Sequence, residues 1–244
     1  MTTTEDISGP RRRKPGTARD LQISRASGKR RSGDIPPLRT VNKGDLWELG
    51  LHRLLCGDST SEGDVAILMD GSAADLMVTD PPYGVAYTGK KLMRTAIMND
   101  NLADDAFLRF LTGALLVAPL KPGACFYVCA PSTRMLQVFL ASVSKSGLDL
   151  KQILVWAKNH FVIGRADYHY RHEIILYGWK PGAAHYYCGG RKQHTVWNFD
   201  KPQKSPLHPT TKPIALLQRA ILNNSREGEI IYDGFLGSGS TLIA

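Results

Sequence analysis

The apolar run Asp75-Leu-Met-Val-Thr79 is cut off by Asp80-Pro81-Pro82-Tyr83-Gly84, and this break constrains the fold more than any other feature of the chain. Two consecutive prolines remove two backbone donors and fix φ near about −65°, so neither a helix nor a sheet ladder continues through them. The run is therefore read as a short strand that stops at Thr79 and displays Asp80 at its carboxyl end. Helical spacing resumes after Asp104, in Phe107, Leu108, Leu111, Leu115 and Leu116, and Lys121-Pro122-Gly123 is expected to close that helix before a strand over residues 124–129. Ser132 is expected to cap a second helix carrying Met135, Leu136, Phe139, Leu140 and Val143, with strands following at 150–157 and 173–179. Pro213 opens a third helix through Ile214, Leu217, Ala220 and Ile221, ahead of a strand at 229–233 and the glycine-rich turn 234–239. Upstream, 45–49 and 52–56 read as short strands around Gly50, and Gly57-Asp58-Ser59 as a turn. Strands alternating with helices define an α/β fold with a doubly wound, mostly parallel sheet, whose ligands collect at the strands' carboxyl ends.

Charge is concentrated in two regions of the 244 residues, whose formal net charge is +9. Residues 1–40 hold ten Lys or Arg against four Asp or Glu, with almost no apolar periodicity, and are read as a disordered basic arm ahead of a domain over 41–244. Residues 151–212 hold ten Lys or Arg, only three carboxylates (Asp167, Glu173 and Asp200) and six of the seven histidines, interleaved with aromatics. Within that region, about 158–205 lacks a sustained period and reads as a loop-rich recognition insert. Cation and ring together suit a nucleic acid, and Lys158, Arg165, Arg171, Arg191 and Lys192 are the candidate contacts to it. No run approaches the roughly 20 apolar residues of a membrane span, and the polar first twenty residues lack a secretory core, which implies a cytoplasmic protein with no membrane partner. Cys56, Cys125, Cys129 and Cys188 lack the spacing of a zinc site, so they are read as reduced, mostly buried thiols and no metal is expected.

Asp80-Pro81-Pro82-Tyr83 has the parts needed to alkylate an exocyclic amine. Such a nitrogen is a poor nucleophile because its lone pair is delocalised into the ring. A carboxylate at Asp80 and a carbonyl such as that of Pro81 bind its two hydrogens and aim the lone pair, Tyr83 offers a flat face to the base, and the prolines hold these groups in place beforehand. The turn from Asp233 to Gly239 follows a strand and enters a helix, as in nucleotide-type cofactor sites. The dinucleotide pattern is not met, since Leu242 stands at the third glycine position, and no phosphate-loop lysine motif is present.

Asp80-Pro-Pro-Tyr83, Asp233-Gly-Phe-Leu-Gly-Ser-Gly239 and His208-Pro-Thr-Thr-Lys-Pro213 together resemble the amino-group DNA methyltransferases of the N-4/N-6 DNA methylase family. The base motif precedes the cofactor motif, as in the circularly permuted beta class, and residues 43–58 are similar to phage and prophage-type members, which often carry an upstream ParB-like domain in place of the basic arm. The resemblance implies the class I methyltransferase fold and transfer of methyl from S-adenosylmethionine to a base amine in double-stranded DNA. Asp in the first motif position leans toward adenine N6 over cytosine N4. It places the base with Asp80, Pro81, Pro82 and Tyr83. The cofactor falls to Asp233, Phe235, Gly237 and Gly239 on its methionine and ribose side, to His208, Thr210 and Lys212 beside its methionine portion, and to Asp58 at its adenine amine.

Family members continue past the glycine-rich turn into a helix, a further strand and an acidic ribose ligand, whereas this sequence stops at Ala244. Weakened or absent cofactor binding is the corresponding expectation. The rival readings are a non-catalytic DNA-binding remnant and methylation of RNA or a protein amide. A homodimer, a paired restriction enzyme and the recognition sequence are left open.

Overall fold

The computed structural model describes residues 40–84, 104–163, 167–201 and 211–244. Most of the basic arm, together with Arg165, His208 and Thr210, lies outside the described residues. In chain order the elements are β1 (Leu46–Leu49), β2 (His52–Leu55), α1 (Glu62–Met69), β3 (Ala74–Thr79), α2 (Asp104–Val117), β4 (Leu120–Ala130), α3 (Leu136–Lys145), β5 (Asp149–Val162), β6 (Tyr170–Trp179), β7 (Val196–Asn198), α4 (Ile214–Asn224), β8 (Ile231–Tyr232) and α5 (Ser240–Ile243). Strands β1 and β2 form a separate antiparallel hairpin, and the other six form one sheet in the order β7-β5-β6-β4-β3-β8. The pairs β3–β4, β3–β8 and β5–β7 are parallel, while β6 runs against both its neighbours.

Alternation along the strands builds two cores, one on each face of the sheet. Met77, Phe126, Val128, Ile174 and Leu176 face α2 and α3, where they meet Phe107, Leu111, Leu115, Phe139 and Val143. Their chain neighbours Leu76, Val78, Tyr127, Cys129, Ile175 and Tyr177 face the opposite way and pack on Leu216, Leu217 and Ala220 of α4. The central strands are thus apolar on both faces, which fixes them in the middle of three layers and leaves their ends, rather than their faces, for chemistry.

Strand β3 ends at Thr79, where the proline turn requires it to. Several boundaries differ from expectation for local reasons. Lys121-Pro122-Gly123 lies inside β4, which starts at Leu120; the triplet marks an irregularity, because Ala74 pairs with Leu120 while Leu76 pairs with Cys125. Ser132 does not cap α3: its hydroxyl donates to the His172 carbonyl on β6, and Met135 stands at the helix start with no side-chain cap. Helix α1 carries no amphipathic stripe, since Val65, Ala66, Ile67, Leu68 and Met69 run around it, so periodicity does not reveal it. Its signal is the cap alone, with the Ser61 hydroxyl accepting from the Asp64 amide at 3.2 Å. Of the thiols, Cys125 and Cys129 are buried, Cys56 is partly so and Cys188 is exposed.

Candidate active site at the carboxyl ends of β3 and β8

Parallel pairing of β3 with β8 brings Asp80 and Asp233 out of the sheet side by side. A hydrogen bond joins the two turns: the Thr79 hydroxyl donates to Asp233 Oδ1 at 2.7 Å. The Phe235 amide donates to the same oxygen at 3.0 Å, and the Thr241 hydroxyl to Oδ2 at 2.6 Å. Burial raises the Asp233 carboxyl above the ordinary carboxylate range, opposed by these three donors. Both of its oxygens therefore serve to fold the glycine turn. Within that turn Gly239 sits at φ +83°, and a side chain added there would meet nothing within 4 Å. The backbone is bare on that side. The Asp58 turn adjoins it, since a Cβ on Gly234 would lie 3.5 Å from the Ser59 Cβ. The exposed Asp58 carboxylate accepts from the amide and hydroxyl of Thr60, and the amide bond is the main cause that lowers its pKa.

Asp80 is the open member of a cluster of four charges. Lys212 Nζ donates to both Asp80 oxygens at 2.7 Å and lies 3.1 Å from Glu173 Oε2 and 3.0 Å from the Tyr83 hydroxyl. The Tyr83 hydroxyl donates to Glu173 at 2.8 Å, and Lys158 pairs with the other Glu173 oxygen. The two lysine side chains are 5% and 7% exposed, Glu173 19% and Asp80 27%, so the cluster opens to solvent on the Asp80 side. Two ammonium groups balance two carboxylates, which is what allows four ions to sit in a mostly dry site. Burial pushes the Glu173 carboxyl up, but Lys212 and Lys158 override it and leave it at about 2. Burial likewise works against the Lys212 charge, and the carboxylates of Asp80 and Glu173 reverse the effect and raise its pKa. For Asp80 itself burial dominates and raises the carboxyl, against the pull of Lys212.

The structure brings together Asp80 to Tyr83, Lys212, the Asp233 to Gly239 turn and Asp58. It changes the surroundings of three of them. Tyr83 is not a free plate: its ring meets Phe139 edge-on at 6.0 Å, Lys212 lies 5.1 Å from the ring centroid, and its hydroxyl is tied inward. The Lys212 ammonium is engaged by the base motif. Phe235 packs edge-on against Phe110 of α2 at 5.7 Å, which anchors the glycine turn to the helix layer. Among the expected DNA contacts Lys158 is corrected: it is a buried partner of Glu173, because a carboxylate on the neighbouring strand draws it inward over the Trp156 ring. Arg171 is exposed and braces the hairpin by donating from Nε to the Lys158 carbonyl. Arg191 and Lys192 are exposed, but Arg191 lines a cavity of about 610 Å³ with Lys151, Gln152 and Trp179, at the strand ends opposite Asp80. Glu173 is absent from the sequence-based set. Its signal was a lone carboxylate at the head of an apolar strand, which demands a buried partner.

A sheet between two helix layers, with the single reversed strand β6 and a glycine turn after the outermost described strand β8, is the class I methyltransferase fold. The structure of the M1.HpyAVI–SAM complex shares it, with a TM-score of 0.56 and 20% identity over 76% of this chain and 83% of that one. Residues 74–244 match the DNA methylase family N6_N4_Mtase, and the chain belongs to that family. The Type II methyltransferase M.HpaI of Haemophilus parainfluenzae is 28% identical over 78% of this chain and 65% of its own length. The DNA adenine methyltransferase YhdJ of Escherichia coli K12 is 25% identical over 69% of this chain and 67% of its own. The chain thus spans about two thirds of the length of these relatives.

Proposed function

We propose that this chain methylates an exocyclic amino nitrogen of a base in double-stranded DNA, adenine N6 ahead of cytosine N4, with S-adenosylmethionine as methyl donor. The observation that carries the reading is the juxtaposition of Asp80 with the bare glycine turn, fastened by the Thr79–Asp233 hydrogen bond. Adenine is favoured by the Asp in the first motif position and by the relative named as an adenine methyltransferase.

The residues present fit the donor. Gly237 and Gly239 leave the backbone of the turn open to a ligand, and the Asp58 carboxylate, ionised and exposed, faces solvent next to it as an acceptor for an adenine amine. Bound there, S-adenosylmethionine supplies a methyl group on a positively charged sulfur. The chain's own contribution is alignment. Asp80 accepts a hydrogen of the target amine and the Pro81 carbonyl the other, the prolines hold both acceptors, and Tyr83 stacks on the base once its ring is presented. The base leaves the duplex to reach this site, at an unstacking cost of about a few kcal/mol that phosphate contacts from exposed cations on the same side of the sheet, such as Arg171, offset. Asp80→Ala tests the assignment: methyl transfer is lost, by about 100-fold or more, while affinity for duplex DNA stays near that of the parent. A parent chain that binds DNA and transfers nothing supports the remnant reading instead.

A further inference from the structure

The Asp80 carboxylate that the proposed reaction needs is already occupied in the folded chain, and the same structure holds a second seat for the group that occupies it. Lys212 Nζ is 2.7 Å from both Asp80 oxygens, yet Glu173 Oε2 is only 3.1 Å away and the Tyr83 hydroxyl 3.0 Å. We infer that Glu173 is a positioning residue that takes over the Lys212 ammonium when the target amine arrives at Asp80, so that the base motif changes partner without leaving a buried charge unpaired. This rests on the reading of Asp80 as the acceptor for the base amine.

The physical case comes from the charge ledger of the site. As the amine nitrogen gives its lone pair to the methyl carbon, the carbon–sulfur pair stays with sulfur and positive charge moves onto nitrogen, one of whose protons then leaves to Asp80 and on to water. An ammonium held against the same carboxylate repels that developing charge. Moving Lys212 wholly onto Glu173 separates the two cations and leaves Asp80 to face the nitrogen alone. Glu173 suits this task because it has two oxygens and two lysines: Lys158 holds Oε1, and Oε2 faces Lys212 and Tyr83. The Tyr83 hydroxyl donates to that same oxygen, so arrival of Lys212 there competes with the tyrosine and frees its ring to meet the base. Glu173 touches neither base nor donor in this scheme and acts only through Lys212 and Tyr83.

Two variants separate this role from simple charge balance. Glu173→Gln is nearly isosteric and removes the anion. Glu173→Gln combined with Lys158→Met also removes the lysine left over and restores neutrality. If Glu173 receives Lys212, kcat falls by about tenfold or more in both variants with KM for duplex DNA within about threefold of the parent, and Glu173→Asp recovers part of the loss. A readout free of turnover accompanies it: in protein labelled with ¹⁵N-lysine, the Lys212 ammonium resonance shifts when the parent binds a duplex carrying the base it methylates, and does not shift in Glu173→Gln. Parent-like kcat in Glu173→Gln, recovery in the double variant, or an unmoved Lys212 resonance in the parent each overturns the inference while leaving the methyltransferase reading in place. A parent that methylates no duplex overturns that reading, and this inference with it.

Discussion

At the residue scale, the site is decided by how four charges share a small, poorly hydrated space. Asp80 and Tyr83 are legible from the chain because two prolines announce them. Their environment is not, because Glu173 and Lys158 come from strands paired late in the sequence and Lys212 from a segment 132 residues beyond Asp80. A lysine in a basic, aromatic stretch reads as a surface contact, and only the register of β5 against β6 shows that Lys158 points at a carboxylate. The lowered Glu173 pKa makes a prediction about acid stability. A carboxyl whose folded value lies below its unfolded one contributes stability that is fully present above the unfolded value, near about 4.5, and is lost as pH falls toward about 2. Acid unfolding of Glu173→Gln is therefore expected to be flatter than that of the parent across that window, measured by circular dichroism at fixed ionic strength. Parallel curves would mean that the ion pairs form equally in the unfolded chain.

At the element scale, the parts that carry a period or a hard stop are the ones that can be read from the sequence. Helices α2, α3 and α4 show their apolar stripes, and β3 stops where imino residues force it to. Helix α1 escapes because its apolar residues surround it, and β4 starts early because tertiary pairing with β3 and β6 overrides the turn chemistry of Lys121-Pro122-Gly123. The cap on α1 gives a direct check: Ser61→Ala is expected to destabilise the fold by about 1 kcal/mol in urea titration, because the Asp64 amide loses its partner. A second check lies in the segment that ends the base motif. Gly84 sits at φ +68°, and a Cβ there would approach Met135 at 2.9 Å and the Phe107 ring at 3.0 Å. Gly84→Ala is expected to cost about 1–3 kcal/mol and to lower methyl transfer by displacing Tyr83, through strain and overpacking together. Full stability and activity in that variant would show that the turn is looser than its contacts imply.

At the scale of the whole molecule, the order of the strands is what turns scattered motifs into one site. The chain visits β3 long before β8, yet the sheet makes them neighbours, so residues 154 positions apart, Thr79 and Asp233, meet in a hydrogen bond. The sequence order of motifs announces this permuted arrangement; the antiparallel placing of β6, which delivers Glu173, is visible only in the sheet. Charge behaves likewise. Its sum indicates a polyanionic partner, but only the fold sorts exposed cations from buried ones. Substituting the exposed Arg171 by Ala is expected to weaken binding to every duplex alike and to reduce the slope of log K against log salt by about 0.9 if one phosphate contact is lost. Lys158→Met is expected to leave that slope unchanged and to lower stability instead, since it strips Glu173 of a partner.

The central claim is that the turn after β3 holds a flipped base so that its amine takes up a methyl group. Incubation of the chain with isotope-labelled S-adenosylmethionine and unmethylated duplex DNA, followed by nucleoside analysis, tests it directly. The expected product is labelled N6-methyldeoxyadenosine, formed by the parent and not by Asp80→Ala. No label in any nucleoside from a folded parent that binds the duplex, or equal label in deoxyadenosine with Asp80→Ala, would contradict it.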